Sequence, residues 1–92
     1  MENMFELGLD KVEANYTPLT PITFIQRTAL AHPTRTAVIH GSIRRNWAET
    51  YERCLKMASA LRKLGVRKGD TVAALLPNIP EMLELHFAVP MI

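Results

Sequence analysis

Residues 71–76, Thr-Val-Ala-Ala-Leu-Leu, carry one polar side chain, Thr71, and are stopped by Pro77. An apolar run without polar alternation suits a β-strand covered on both faces, as in a parallel sheet between helices. Such a strand needs a layer above it, a layer below it and a strand at each edge. No other feature constrains a chain of 92 residues so strongly. Without further strands, at least one edge shows unpaired N–H and C=O groups beside apolar surface, a template for association. A core of this size supplies only about 3–5 kcal/mol. The chain by itself is therefore expected to be poorly stable or prone to aggregate.

The segments before and after the run read as alternating helices and strands. Residues 1–19 have no sustained period and read as an extended N-terminal arm. Thr20-Pro21 opens a helix, with threonine as cap and proline at the first helical position. Ile22, Ile25 and Ala29 follow at helical spacing, and His32-Pro33 closes the helix. Thr36 to His40 is β-prone, Gly41-Ser42 is a two-residue turn, and Ile43 to Asn46 returns as the second strand of a hairpin. Asn46 followed by Glu49 resembles a capping box. From there Trp47, Tyr51, Leu55, Ala58 and Leu61 share one arc of a helix and are expected to face the sheet. Gly65 suits a left-handed cap, with Val66 packing back on the last turn. Lys68-Gly69-Asp70 is a turn into the 71–76 strand. Asn78-Ile79-Pro80 begins a last helix, apolar on most sides through Met82, Leu83, Leu85, Phe87 and Val89 and so expected to be buried, which Pro90 breaks. The fold class is α/β: helix, β-hairpin, helix, strand, helix, the opening part of a larger layered α/β N-terminal domain.

Composition narrows the function classes. Apolar residues make up 48% and charged residues 22%, which are globular proportions. The acids near the start (Glu2, Glu6, Asp10, Glu13) do not fit a secretory or transit leader. No apolar run approaches the roughly 20 residues of a membrane span. Cys54 is the one cysteine, so no internal disulfide forms, and a reduced compartment is expected. The net charge is +2, with bases gathered between Arg44 and Lys68. Glu49 precedes Arg53, and Glu52 precedes Lys56, by four residues, the favourable order for helix ion pairs. A solvated helix face therefore outweighs a nucleic-acid patch.

Little chemistry is visible. Gly8, Gly41, Gly65 and Gly69 are too scattered for a phosphate loop. Cys54 lies inside an apolar arc, where cysteine acts as a small hydrophobe. His32, His40 and His86 lack a second cysteine or a carboxylate cluster to form a metal site. His40 is expected to be exposed, and His86 to be a packed, hydrogen-bonded residue. Glu81 and Glu84 look like paired carboxylates but stand at a helix start, where acids are expected for the dipole alone. No catalytic, cofactor-binding or metal-binding residue is assigned.

The assembled string carries more than any single site. Thr36-Ala37-Val38-Ile39 before a glycine hairpin, then Asn46-Trp47-Ala48-Glu49-Thr50-Tyr51, resembles the opening of the adenylate-forming superfamily. Ala58-Ser59-Ala60-Leu61 running into Leu64-Gly65-Val66 is similar too. Lys68-Gly69-Asp70-Thr71-Val72, then Leu75-Leu76-Pro77-Asn78, is the strongest part. Asn15 to Pro21, Glu81-Met82 and His86 to Met91 resemble the AMP-forming acyl-CoA synthetase branch, especially acyl-activating enzymes of short to medium acids.

This resemblance implies an ATP-dependent acyl-CoA ligase as the parent, turning a carboxylic or fatty acid, ATP and CoA into acyl-CoA, AMP and pyrophosphate. ATP, Mg and CoA are implied as cofactors of the full-length parent and none for this chain. The family's phosphate loop, adenine-contacting motif, hinge aspartate and C-terminal lysine have no match here. Residues 20–92 are expected to be an incomplete N-terminal subdomain of an AMP-binding domain, catalytically inactive alone. The stop at Ile92, just after Pro90, favours truncation. The remainder of the parent ligase is the expected partner, with no nucleic acid and no membrane span. The expected location is cytoplasmic, with a peroxisomal parent as the alternative. A competing reading is a truncated stand-alone interaction module that binds a full-length paralogue.

Overall fold

The computed structural model describes residues 3–5, 7–14 and 16–92. The described residues before Thr20 form turns without a helix or strand; Asn15, in the arm, lies outside the described residues.

Helix α1 spans Pro21–Ala31. Thr20 Oγ1 accepts the Thr23 N–H at 3.2 Å, and Thr23 Oγ1 accepts the Thr20 N–H at 3.1 Å. That reciprocal pair is a capping box closed by two threonines. The His32 N–H donates to Thr28 O at 2.8 Å and ends the helix before Pro33. Strands β1 (Thr36–His40) and β2 (Ile43–Asn46) pair antiparallel, with His40 opposite Ile43 and Val38 opposite Arg45. Gly41 takes φ 60° at the first turn position, and Ser42 does not share that sign, the pattern of a type II′ turn. Thr36 pairs with Asn46, so Ala37 is the extra residue of a β-bulge.

Helix α2 spans Trp47–Lys63. Asn46 Oδ1 caps it by accepting the Glu49 N–H at 2.8 Å. Its far end is a Schellman motif: Gly65 at φ 103° donates to Arg62 O at 3.0 Å, and Val66 donates to Leu61 O at 3.1 Å. Arg67 Nη1 adds a bond to Arg62 O at 2.8 Å, placing a cation on the negative end of the helix. Helix α3 spans Pro80–Ala88. Proline opens it, and Ile79 offers no capping side chain.

The core lies where α2 meets α1, the hairpin and α3, and is made of Ile25, Val38, Cys54, Ala58 and Ala88. The buried line of α2 is Thr50, Cys54 and Ala58, small side chains that admit close neighbours. The expected arc is corrected in part. Ala58 is buried, and Trp47, Tyr51 and Leu61 are half-buried, but Leu55 is exposed. Leu55 stands one residue past Cys54, about 100° around the axis from the line that is covered.

Two further expectations are corrected. Among the described residues, 71–76 form no strand, and the sheet contains only β1 and β2. A strand exists only with a ladder partner; the hairpin strands pair with each other, and among the described residues no strand pairs with 71–76. The α/β composition stands, with the order helix, hairpin, helix, helix. Helix α3 is also less buried than its composition suggests. Its covered positions are Pro80, Glu84 and Ala88, whereas Leu83 is exposed.

Candidate functional site

Two neighbouring features on α3 concentrate the chemistry of the molecule. One is ionic. Glu84 is 1% exposed, and its Oε1 accepts from Arg53 Nε at 2.6 Å and from Arg45 Nη1 at 3.3 Å. Arg53 comes from α2. Arg45 comes from β2 and points inward because it sits opposite the buried Val38, on the same face of the hairpin. Arg53 Nη2 also reaches Glu81 Oε1 at 3.5 Å, so one guanidinium spans both carboxylates of α3. The Glu84 hydrogen bond holds the Arg53 pKa above its usual value, outweighing the opposing effect of burial, and the charges of Glu84 and Glu81 add to it. Glu84 Oε2 is buried with no hydrogen-bond partner.

The other feature is an open apolar groove of about 350 Å³. Val72 and Ala74 line it together with Met82, Leu85 and His86 of α3 and Val89 at its C-cap. Beside it Leu75 is 100% exposed and Leu76 is exposed too. The backbone of 71–76 joins no ladder and its leucines are uncovered, so this face is open to association.

The residues singled out from sequence fall as follows. Cys54 is fully buried on α2, and its pKa is pushed up to about 11. Burial is the main cause; the Glu84 charge adds to it, and Arg53 partly offsets it. A thiol held protonated is a poor nucleophile. His86 is exposed rather than packed, because it stands on the open side of α3, and it donates through Nδ1 to Met82 O at 2.8 Å. His40 is exposed. Glu81 remains in the first turn of α3, but Glu84 departs from the dipole reading and becomes the buried centre of a three-element contact. The sequence separations, 31 residues to Arg53 and 39 to Arg45, put that contact beyond local pattern. Two signals bear on it: a charge at an inward hairpin position, and an acid amid apolar helix residues. Among the described residues no cluster of His, Cys, Asp and Glu could hold a metal ion. No helix among them is long and apolar enough to cross a membrane.

The AMP-binding enzyme family matches residues 25–92. An acetate/butyrate–CoA ligase of Arabidopsis thaliana, described as peroxisomal, is 54% identical over 83 residues, 90% of this chain and 15% of that protein. An acetate–CoA ligase of Humulus lupulus matches at the same identity and coverage. A peroxisomal trans-cinnamate:CoA ligase of Petunia hybrida is 47% identical over 83 residues, again 90% of this chain and 15% of that protein. No solved structure matches significantly. The chain belongs to the AMP-binding enzyme family, and it spans about 15% of the length of these relatives.

Proposed function

We propose that this chain is the N-terminal scaffold segment of an ATP-dependent acyl-CoA ligase, which joins a carboxylic acid to CoA while ATP becomes AMP and pyrophosphate. The observation that carries the reading is the 54% identity over 90% of the chain to CoA ligases of two plants. Acetate, butyrate, trans-cinnamate and benzoate appear in the relatives' names, which supports a small carboxylic acid as substrate of the whole enzyme. ATP, magnesium and CoA belong to that whole enzyme, and the remainder of the ligase is the partner that covers the 71–76 face. The peroxisomal names among the relatives support the peroxisomal alternative over the cytoplasmic one.

In this reading the chain itself assigns no catalytic, nucleotide-binding or metal-binding residue. Four of its cations are engaged in structure. Arg45 and Arg53 hold Glu84, Lys56 pairs with Glu52 at 3.3 Å, and Arg67 caps α2. Titration calorimetry of the chain with ATP and magnesium, then with CoA, is expected to give no saturable heat. A saturable signal at micromolar ligand would contradict the scaffold reading.

A further inference from the structure

The apolar residues of α3 do not by themselves choose how the helix is turned. Met82, Leu83, Leu85, Phe87 and Val89 are distributed around its axis, so burial of apolar area favours several settings to a similar degree. The observed setting is not the most apolar one. Leu83 is 42% exposed, while Glu84, the next residue, is 1% exposed. A rotation of about 100° would carry Leu83 to the direction Glu84 now faces and Glu84 to that of Leu85, which lines the open groove. Burying leucine and freeing the carboxylate is the outcome that solvation alone prefers.

The Glu84 carboxylate opposes that rotation. Its Oε1 is fixed by Arg53 of α2 and by Arg45 of β2, so the helix is referenced to two separate elements. The setting also determines both faces of α3. Pro80, Glu84 and Ala88, spaced four residues apart, turn inward. Met82, Leu85 and Val89 are left to form the groove with Val72 and Ala74. The unpartnered Oε2 argues that the contact is not there for stability, since a buried ionic network with an unsatisfied oxygen is no better than an apolar core.

We propose that Glu84 is the orienting residue of α3: its clamp to Arg45 and Arg53 selects one rotational setting and thereby turns the Met82–Leu85–Val89 face to the groove. Selection of register by a single buried polar group is the best-attested use of such groups.

The test reads rotation directly. Methyl NMR spectra of the full chain are recorded with a soluble paramagnetic relaxation agent, comparing Leu83 with Ala88. In the unsubstituted chain the exposed Leu83 methyls relax several-fold faster than the buried Ala88 methyl. The variant Arg45→Met/Arg53→Met/Glu84→Leu removes the clamp without leaving a charge behind. It is expected to keep its helical circular dichroism while the Leu83-to-Ala88 ratio falls to within about twofold, as a mixture of settings requires. Glu84→Gln, which keeps shape and an acceptor for Arg53, is expected to give a ratio between the two and decides the matter if the triple variant loses its helices. A folded triple variant with the full ratio would overturn the proposal. So would a Glu84→Gln ratio equal to that of the unsubstituted chain, or the absence of any contrast in that chain.

Discussion

Residues 20–66 and residues 67–92 are built on different terms. In the first part each element is ended by groups a few residues away. Thr20 and Thr23 open α1, His32 closes it, Gly41 turns the hairpin, Asn46 opens α2, and Gly65 with Val66 closes it. In the second part the backbone of 71–76 finds no ladder, α3 begins without a capping side chain, and Leu75 is wholly exposed. One buried carboxylate, Glu84, ties the second part to the first through Arg45 and Arg53. The difference shows where neighbouring caps suffice to end each element and where they do not.

The largest test of this contrast removes the tie from one side only. Arg45→Met/Arg53→Met strands a buried carboxylate and is expected to cost about 3–5 kcal/mol in urea unfolding. A loss under about 1 kcal/mol would mean that the two parts are joined by apolar packing and not by the clamp. Next comes a paired comparison of the parts themselves. Ile25→Ala, at a position 2% exposed, is expected to cost about 2–5 kcal/mol, whereas Leu75→Ala should change stability by less than about 0.5 kcal/mol. Equal costs at the two positions would erase the distinction.

A smaller effect is set by pH. The folded chain holds the Cys54 proton up to about pH 11, whereas the free thiol loses it near its ordinary 9.0. The unfolded state therefore ionises first as pH rises. Stability from this site is complete below pH 9 and declines between pH 9 and 11, by roughly 2–3 kcal/mol. The decline should be absent in Cys54→Ala, and unfolding curves of the two proteins across that range isolate it. An identical slope in both would place the thiol in contact with solvent.

The same division governs what the residues announced. Helices α1 and α2 and the hairpin were legible because proline, glycine and capping side chains act within three or four residues of the backbone they control. The 71–76 run read as a strand wanting partners, but an apolar run names no partner, and among the described residues no strand pairs with it. Leu55 misled because an arc defined by residue type is wider than the line a neighbour covers, and small Thr50 and Cys54 hold that line. Glu84 misled because its position near a helix start offered a sufficient local reason for an acid. Its two arginines come from elements 31 and 39 residues earlier, and no helical or strand period connects them.

The proposal that the remainder of a CoA ligase covers the 71–76 face is tested most directly by amide hydrogen exchange of those six residues. The chain is measured alone and then mixed with the remainder of the Humulus lupulus acetate–CoA ligase, expressed without its matching first segment. Alone, the 71–76 amides should exchange at the rate of unstructured chain. In the mixture they should slow by at least about 100-fold, as cover by a bound partner requires. Protection of 71–76 in the isolated monomer would contradict the account, as would unchanged exchange in a mixture that forms a complex.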